Sequence, residues 1–141
     1  MKKFLLQLII VPAIILGIGS CSDKGGGGGG GGGTTEANLV VTLNPPVGST
    51  QPAAPQTDFP LTVTITSTMP PQGVTIDVKA APDGSAVSFF TETKSATSST
   101  PTPFTITGTP VGVVCVTTVT VTSKSKPANT WTGSYRYTRK P

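Results

Sequence analysis

The sequence predicts an all-β fold, a single two-sheet sandwich over residues 37–141. Valine and threonine, whose branched Cβ atoms suit a pleated, half-buried surface, alternate with other residues along most of that stretch. Proline and glycine, 14 and 17 in the 141-residue chain, cluster between the alternating runs and mark them off as turns. Helix formers are scarce after residue 20. A domain of this size commonly forms a sandwich and buries roughly two-thirds of its unfolded surface in one core, so it needs no metal or disulfide.

Taken in order, the runs predict seven strands. Leu39, Val41 and Leu43 alternate with Asn38, Val40 and Thr42, and a Pro-rich connection from Asn44 to Thr57 follows. Phe59, Leu61, Val63 and Ile65 alternate with Thr62, Thr64 and Thr66 until Pro70-Pro71-Gln72-Gly73 turns the chain. Val74, Ile76 and Val78 then alternate with Thr75, Asp77 and Lys79, and Pro82-Asp83-Gly84 makes the next turn. Ala86 to Thr93 reads as a weaker strand with Phe89 and Phe90, and the polar run from Glu92 to Pro103 as a mobile loop. Phe104 to Thr107 is a short strand, Val113 to Ser123 the longest, and Trp131 to Tyr137 the last. Threonine's recurrence at outward positions predicts sheet faces that are polar but low in charge.

Ahead of the domain lie two segments of different character. Met1-Lys2-Lys3 is basic, and Phe4 to Gly19 is apolar apart from Gln7. That apolar stretch is shorter than the about 20 residues a spanning helix needs, and basic flank, apolar run and small-residue exit together make a secretory signal over residues 1–20. Residues 21–36 hold Cys21 and nine consecutive glycines, Gly25–Gly33. No strand precedes those glycines and no helix pattern follows, so they do not make a nucleotide-binding loop. They predict a disordered tether, spanning about 20 Å root-mean-square as a Gly-rich coil and about 50 Å when fully stretched.

Ile18-Gly19-Ser20-Cys21 resembles the lipobox of bacterial lipoproteins: an aliphatic residue, two small ones, then cysteine. The resemblance implies diacylglycerol transfer to the Cys21 thiol, cleavage before it, and acylation of the new amino group. Small residues at 19 and 20 suit passage of an extended backbone into a membrane-embedded protease. Serine rather than aspartate follows Cys21, which by similarity to Gram-negative lipoproteins argues for the outer membrane, with the surface as a further destination. Over residues 37–141 the strand count and turn spacing resemble immunoglobulin-like or fibronectin type III-like domains. The immunoglobulin hallmarks depart from that pattern, because no cysteine lies in the second strand and Trp131 lies in the last.

Function is constrained mainly by what is missing. The chain has no histidine, which removes imidazole base chemistry and imidazole metal ligation. Asp58, Asp77, Asp83 and Glu92 are the carboxylates of residues 37–141, and their spacing suggests neither a glycosidase pair nor a calcium loop. No catalytic residue, metal site or cofactor is therefore expected, and the domain reads as non-enzymatic. Removing Lys2 and Lys3 leaves eight Lys/Arg against six Asp/Glu, a net charge of about +2, too sparse and scattered for nucleic acid. Cys115 shares the phase of Val113, Val119 and Val121, which points its thiol into the core. Trp131, Tyr135 and Tyr137 share one phase of the last strand, either as core or as a platform on which sugar rings stack. The expected partners are a membrane, through the lipid, and a protein or polysaccharide; an adhesion, ligand-binding or assembly module leads, with a carbohydrate-binding module as the alternative.

Overall fold

The computed structural model describes residues 35–141; the signal segment, Cys21 and the glycine run lie outside the described residues. The alternating runs become seven strands: β1 (Val41–Asn44), β2 (Phe59–Ile65), β3 (Val74–Pro82), β4 (Phe90–Ala96), β5 (Thr102–Ile106), β6 (Val114–Ser123) and β7 (Thr130–Thr138). All strand pairings are antiparallel, in a three-stranded sheet β1-β2-β5 and a four-stranded sheet β4-β3-β6-β7. The strand β4 pairs with β3, whereas the constant-type immunoglobulin arrangement places the fourth strand on the sheet of the first two.

The core follows the sequence alternation. Phe59, Leu61, Val63 and Ile65 of β2 face Val74, Ile76, Val78 and Ala80 of β3 and Cys115, Val119 and Val121 of β6 within one buried cluster. Each strand thus hides every second residue between the sheets, the arrangement by which a sandwich makes its interior. Leu39 is already buried ahead of β1. The chain is fixed even earlier, because the Asn129 side chain donates to Glu36 Oε1 at 2.7 Å and Ala37 O at 2.9 Å and accepts from Leu39 N at 3.1 Å. The turn Pro70–Gly73 closes with Gly73 N donating to Pro70 O at 2.8 Å, and Gly73 sits at φ +77°, where a side chain is strained.

Three expectations need correcting. The fourth strand runs from Phe90 to Ala96, so Glu92 to Ala96 belong to the sheet, while Ala86 to Ser88 lie in the link before it. An edge strand meets little core, so its sequence carries no apolar alternation to announce it. Val113 is exposed just before β6, because the inward phase begins only at Cys115. The Asn44–Thr57 connection is also more than a link. It crosses to the other sheet and lies beside β7, with Gly48 N donating to Ser134 O, Gln51 N to Arg136 O and Ala54 N to Thr138 O.

Three of the four sheet edges are blocked, and the remaining one, β1, is only four residues long. Thr66 N donates to Val40 O, so even-numbered residues of β2 aim their backbone groups at β1. Continuing the register would set Pro46 against Pro60, and neither has an N–H, so β1 stops at Asn44. On β5, Pro103 stands at a position facing the free side, and its carbonyl accepts from Lys94 Nζ. The edge strand β4 points Glu92 and Lys94 inward, in register with Val78 and Ile76. Lys94 Nζ lies 3.2 Å from Glu92 Oε1 and 4.4 Å from the centroid of the Phe104 ring. Inward-pointing charges, proline and a covering segment are standard defences against edge-to-edge pairing. The fourth edge, β7, is the one covered by residues 48–54.

Candidate functional site

Of the residues singled out from sequence, Cys21 lies outside the described residues. The aromatic row of β7 faces inward. Tyr135 and Tyr137 are 2% and 1% exposed and so offer no ring face to a sugar. Of the two readings of this row, core or stacking platform, Tyr135 and Tyr137 take the core one, because β7 turns that phase toward the opposite sheet. Tyr137 stacks on Phe59 with centroids 4.5 Å apart and lies 5.9 Å from Tyr135. Its hydroxyl pairs with that of Thr109 at 3.1 Å. Burial pushes the Tyr137 phenol up to about 12, against an ordinary 10, and raises that of Tyr135 as well. Trp131 is half-buried and lays its ring across Gly133, where a Cβ would collide with the indole. Gly133 is the residue that lets the ring lie flat on the strand.

Cys115 is buried and unpaired, and burial raises its thiol above the ordinary range. A thiol held neutral in an apolar interior is a poor nucleophile. Three carboxylates of the domain are engaged with neighbours. Asp83 accepts from Arg136 Nε at 3.1 Å, Glu92 pairs with Lys94, and Asp77 accepts from the Thr93 hydroxyl. No cluster of three or more His, Cys, Asp or Glu occurs among the described residues.

What the fold does assemble is the outer face of the four-stranded sheet. The registers of β4, β3, β6 and β7 align outward residues into cross-strand rows. Ser95, Thr75, Thr122 and Thr130 make the first row; Thr93, Asp77, Thr120 and Thr132 the second; Thr91, Lys79, Thr118 and Ser134 the third. Ten of these twelve positions carry a hydroxyl, and the two charges, Asp77 and Lys79, are adjacent on β3. Two shallow depressions of about 350 and 440 Å³ share Lys79 and Thr118, so a trough runs along β3 and β6. Each hydroxyl both donates and accepts, and the branched methyl beside it adds apolar contact. Such a surface offers many modest polar contacts, with Asp77 and Lys79 as the two charges among these twelve positions.

A separate apolar cleft of about 250 Å³ opens where β1 leaves its sheet, lined by Pro45, Pro52, Pro60 and Phe59 together with Tyr135 and Tyr137. No protein-family model, curated protein or solved structure matches this chain.

The sequence reading predicted a polar, low-charge face but not its composition by strand, since β4 was expected to end at Thr93 and its register was unknown. It also missed the exposed valines Val87, Val111 and Val113 of the links and Val114 at the start of β6. Gly108, Pro110 and Gly112 around Val111 were the available signal, because glycine and proline at that density mark a loop.

Proposed function

We propose that this chain is an exported envelope lipoprotein, anchored through acylated Cys21 and displaying its β-sandwich as a non-enzymatic binding or structural module. The observation that carries the reading is the ten-hydroxyl outer face of the four-stranded sheet. With three edges blocked and β1 only four residues long, the domain offers a partner its faces and ends rather than a long open strand. The absence of histidine in the chain and the engagement of Asp77, Asp83 and Glu92 with neighbours support a non-enzymatic role. The order β4-β3-β6-β7 favours the fibronectin type III-like form of the resemblance over the constant-type immunoglobulin form. Ile18-Gly19-Ser20-Cys21 and the serine after it support an outer-membrane anchor. With Tyr135 and Tyr137 buried, the carbohydrate alternative loses two of the three residues that motivated it and keeps only the half-buried Trp131, so a protein partner is preferred.

The test uses the full precursor in a Gram-negative host, as wild type, Cys21→Ala, and Thr118→Glu with Thr120→Glu. Wild type should fractionate with membranes and yield an acylated N-terminal peptide beginning at Cys21, and Cys21→Ala should yield none. Two carboxylates placed in the trough should weaken binding of envelope proteins about tenfold, or about 1.4 kcal/mol, with an unchanged melting midpoint. A soluble, unacylated wild type overturns the anchor; binding indifferent to the two glutamates overturns the hydroxyl face.

A further inference from the structure

We propose that the end of the sandwich opposite the chain's start is a docking surface for a protein whose contact area is apolar at its centre and rimmed by carboxylates. The proposal rests on reading the domain as a binding module, but on neither the lipid anchor nor the hydroxyl face. Four of the six exposed large apolar side chains among the described residues, Val87, Val111, Val113 and Val114, lie at this end, in the β3–β4 and β5–β6 links and the first position of β6. Val87 is 76% exposed. Along the outward phase of β6 the residues run Val114, Val116, Thr118, Thr120 and Thr122, so the face turns from hydroxyl to apolar as it nears this end.

These valines are not the product of a loose loop. Asp83 N donates to Val114 O at 2.8 Å and joins the two links. Ser85 N donates to Pro82 O, Val87 N to Ser85 Oγ, and Gly112 N to Arg139 O. Arg139 Nη1 donates to Thr109 O at 3.2 Å. Gly84, Gly108 and Gly112 at φ +79°, +75° and +73° allow turns this tight. A surface already fixed by hydrogen bonds loses little freedom when a partner arrives, so its apolar burial goes into affinity. Exposed apolar side chains gathered on ordered loops mark an interaction surface.

Charge selects the partner. Val111 lies beside Arg139 in a bridge between the two segments, and Lys140 follows it. Asp83 and Arg136 neutralise each other, whereas Arg139 and Lys140 make no ion pair among the described residues. Of the five donors of the Arg139 guanidinium, one goes to Thr109 O and the Nε–H is buried without a partner, which leaves the other Nη donors. A planar fork with donors to spare is matched by a carboxylate. A second copy of this chain would bring the same cations face to face.

The experiment places a photoreactive amino acid at Val87, and separately at Thr118 of the hydroxyl face, in the full chain in its own cells. Crosslinked peptides are identified by mass spectrometry. The Val87 probe should give one protein adduct, its crosslinked segment apolar and flanked by Asp or Glu. Val111→Ser with Val113→Ser, and separately Lys140→Glu, should each lower its yield about tenfold, the effect of about 1.4 kcal/mol, with the melting midpoint unchanged. A lipid adduct, a second copy of this chain, a segment without acidic residues, or a yield indifferent to Lys140→Glu overturns the proposal. An adduct from Thr118 alone overturns it while leaving the binding-module reading standing. No adduct from either position overturns both.

Discussion

Tyr137 shows how much one buried polar tip decides. Its ring is packed on Phe59 and its hydroxyl is paired with Thr109, so neutral phenol fits the site and phenolate does not. Because its folded value, about 12, lies above the ordinary 10, the stabilisation it gives is fully present below pH 10 and is lost as pH rises toward 12. The gap corresponds to an upper bound of about 3 kcal/mol. Tyr137→Phe should cost about 1 kcal/mol at pH 7, the worth of one buried hydrogen bond. It should also make the alkaline fall in stability between pH 10 and 12 shallower than in wild type, measured by urea unfolding across that range. Sequence alternation alone put Tyr137 on its phase; that the phase is the inner one could not be read from aromatic residues, which suit either side of a sheet.

At the scale of strands, legibility follows contact with the core. The strands β2, β3 and β6 are central, so their inward positions must be apolar and their alternation is plain in the sequence. The edge strand β4 carries Glu92 and Lys94 at inward positions, and its sequence reads as a loop. The charges that hid the strand also protect it. Lys94→Val with Pro103→Thr would remove the inward cation and restore an N–H on the free side of β5. The variant should remain folded, since an exposed pair like Glu92–Lys94 contributes about 0–1 kcal/mol. Its association should become concentration-dependent, seen by light scattering, whereas wild type stays constant. An unchanged scattering profile would show that β5 and β4 are protected by other means. The candidate surfaces were legible only in part, because rows across strands depend on register and loop valines depend on where a strand begins.

On the scale of the whole domain, Asn129 ties the start of the described chain to the turn between β6 and β7. Its side chain, in the turn between β6 and β7, holds Glu36, Ala37 and Leu39, more than 85 residues earlier. Asn129→Ala would leave Leu39 N and Ala37 O without their partner, at about 1–3 kcal/mol for such groups. The full chain bearing it should melt several degrees lower, and a chain beginning at Ala37, which loses only the Glu36 bond, should melt close to wild type. The path also has a mechanical consequence. The described chain comes in at the Asn129 end, while the valine surface is at the other, so a pull between the proposed anchor and the proposed partner would run lengthwise along β1. Ladder hydrogen bonds lie across the strands, and a lengthwise pull therefore shears them all at once instead of opening them one by one. The domain is loaded in its stiff direction.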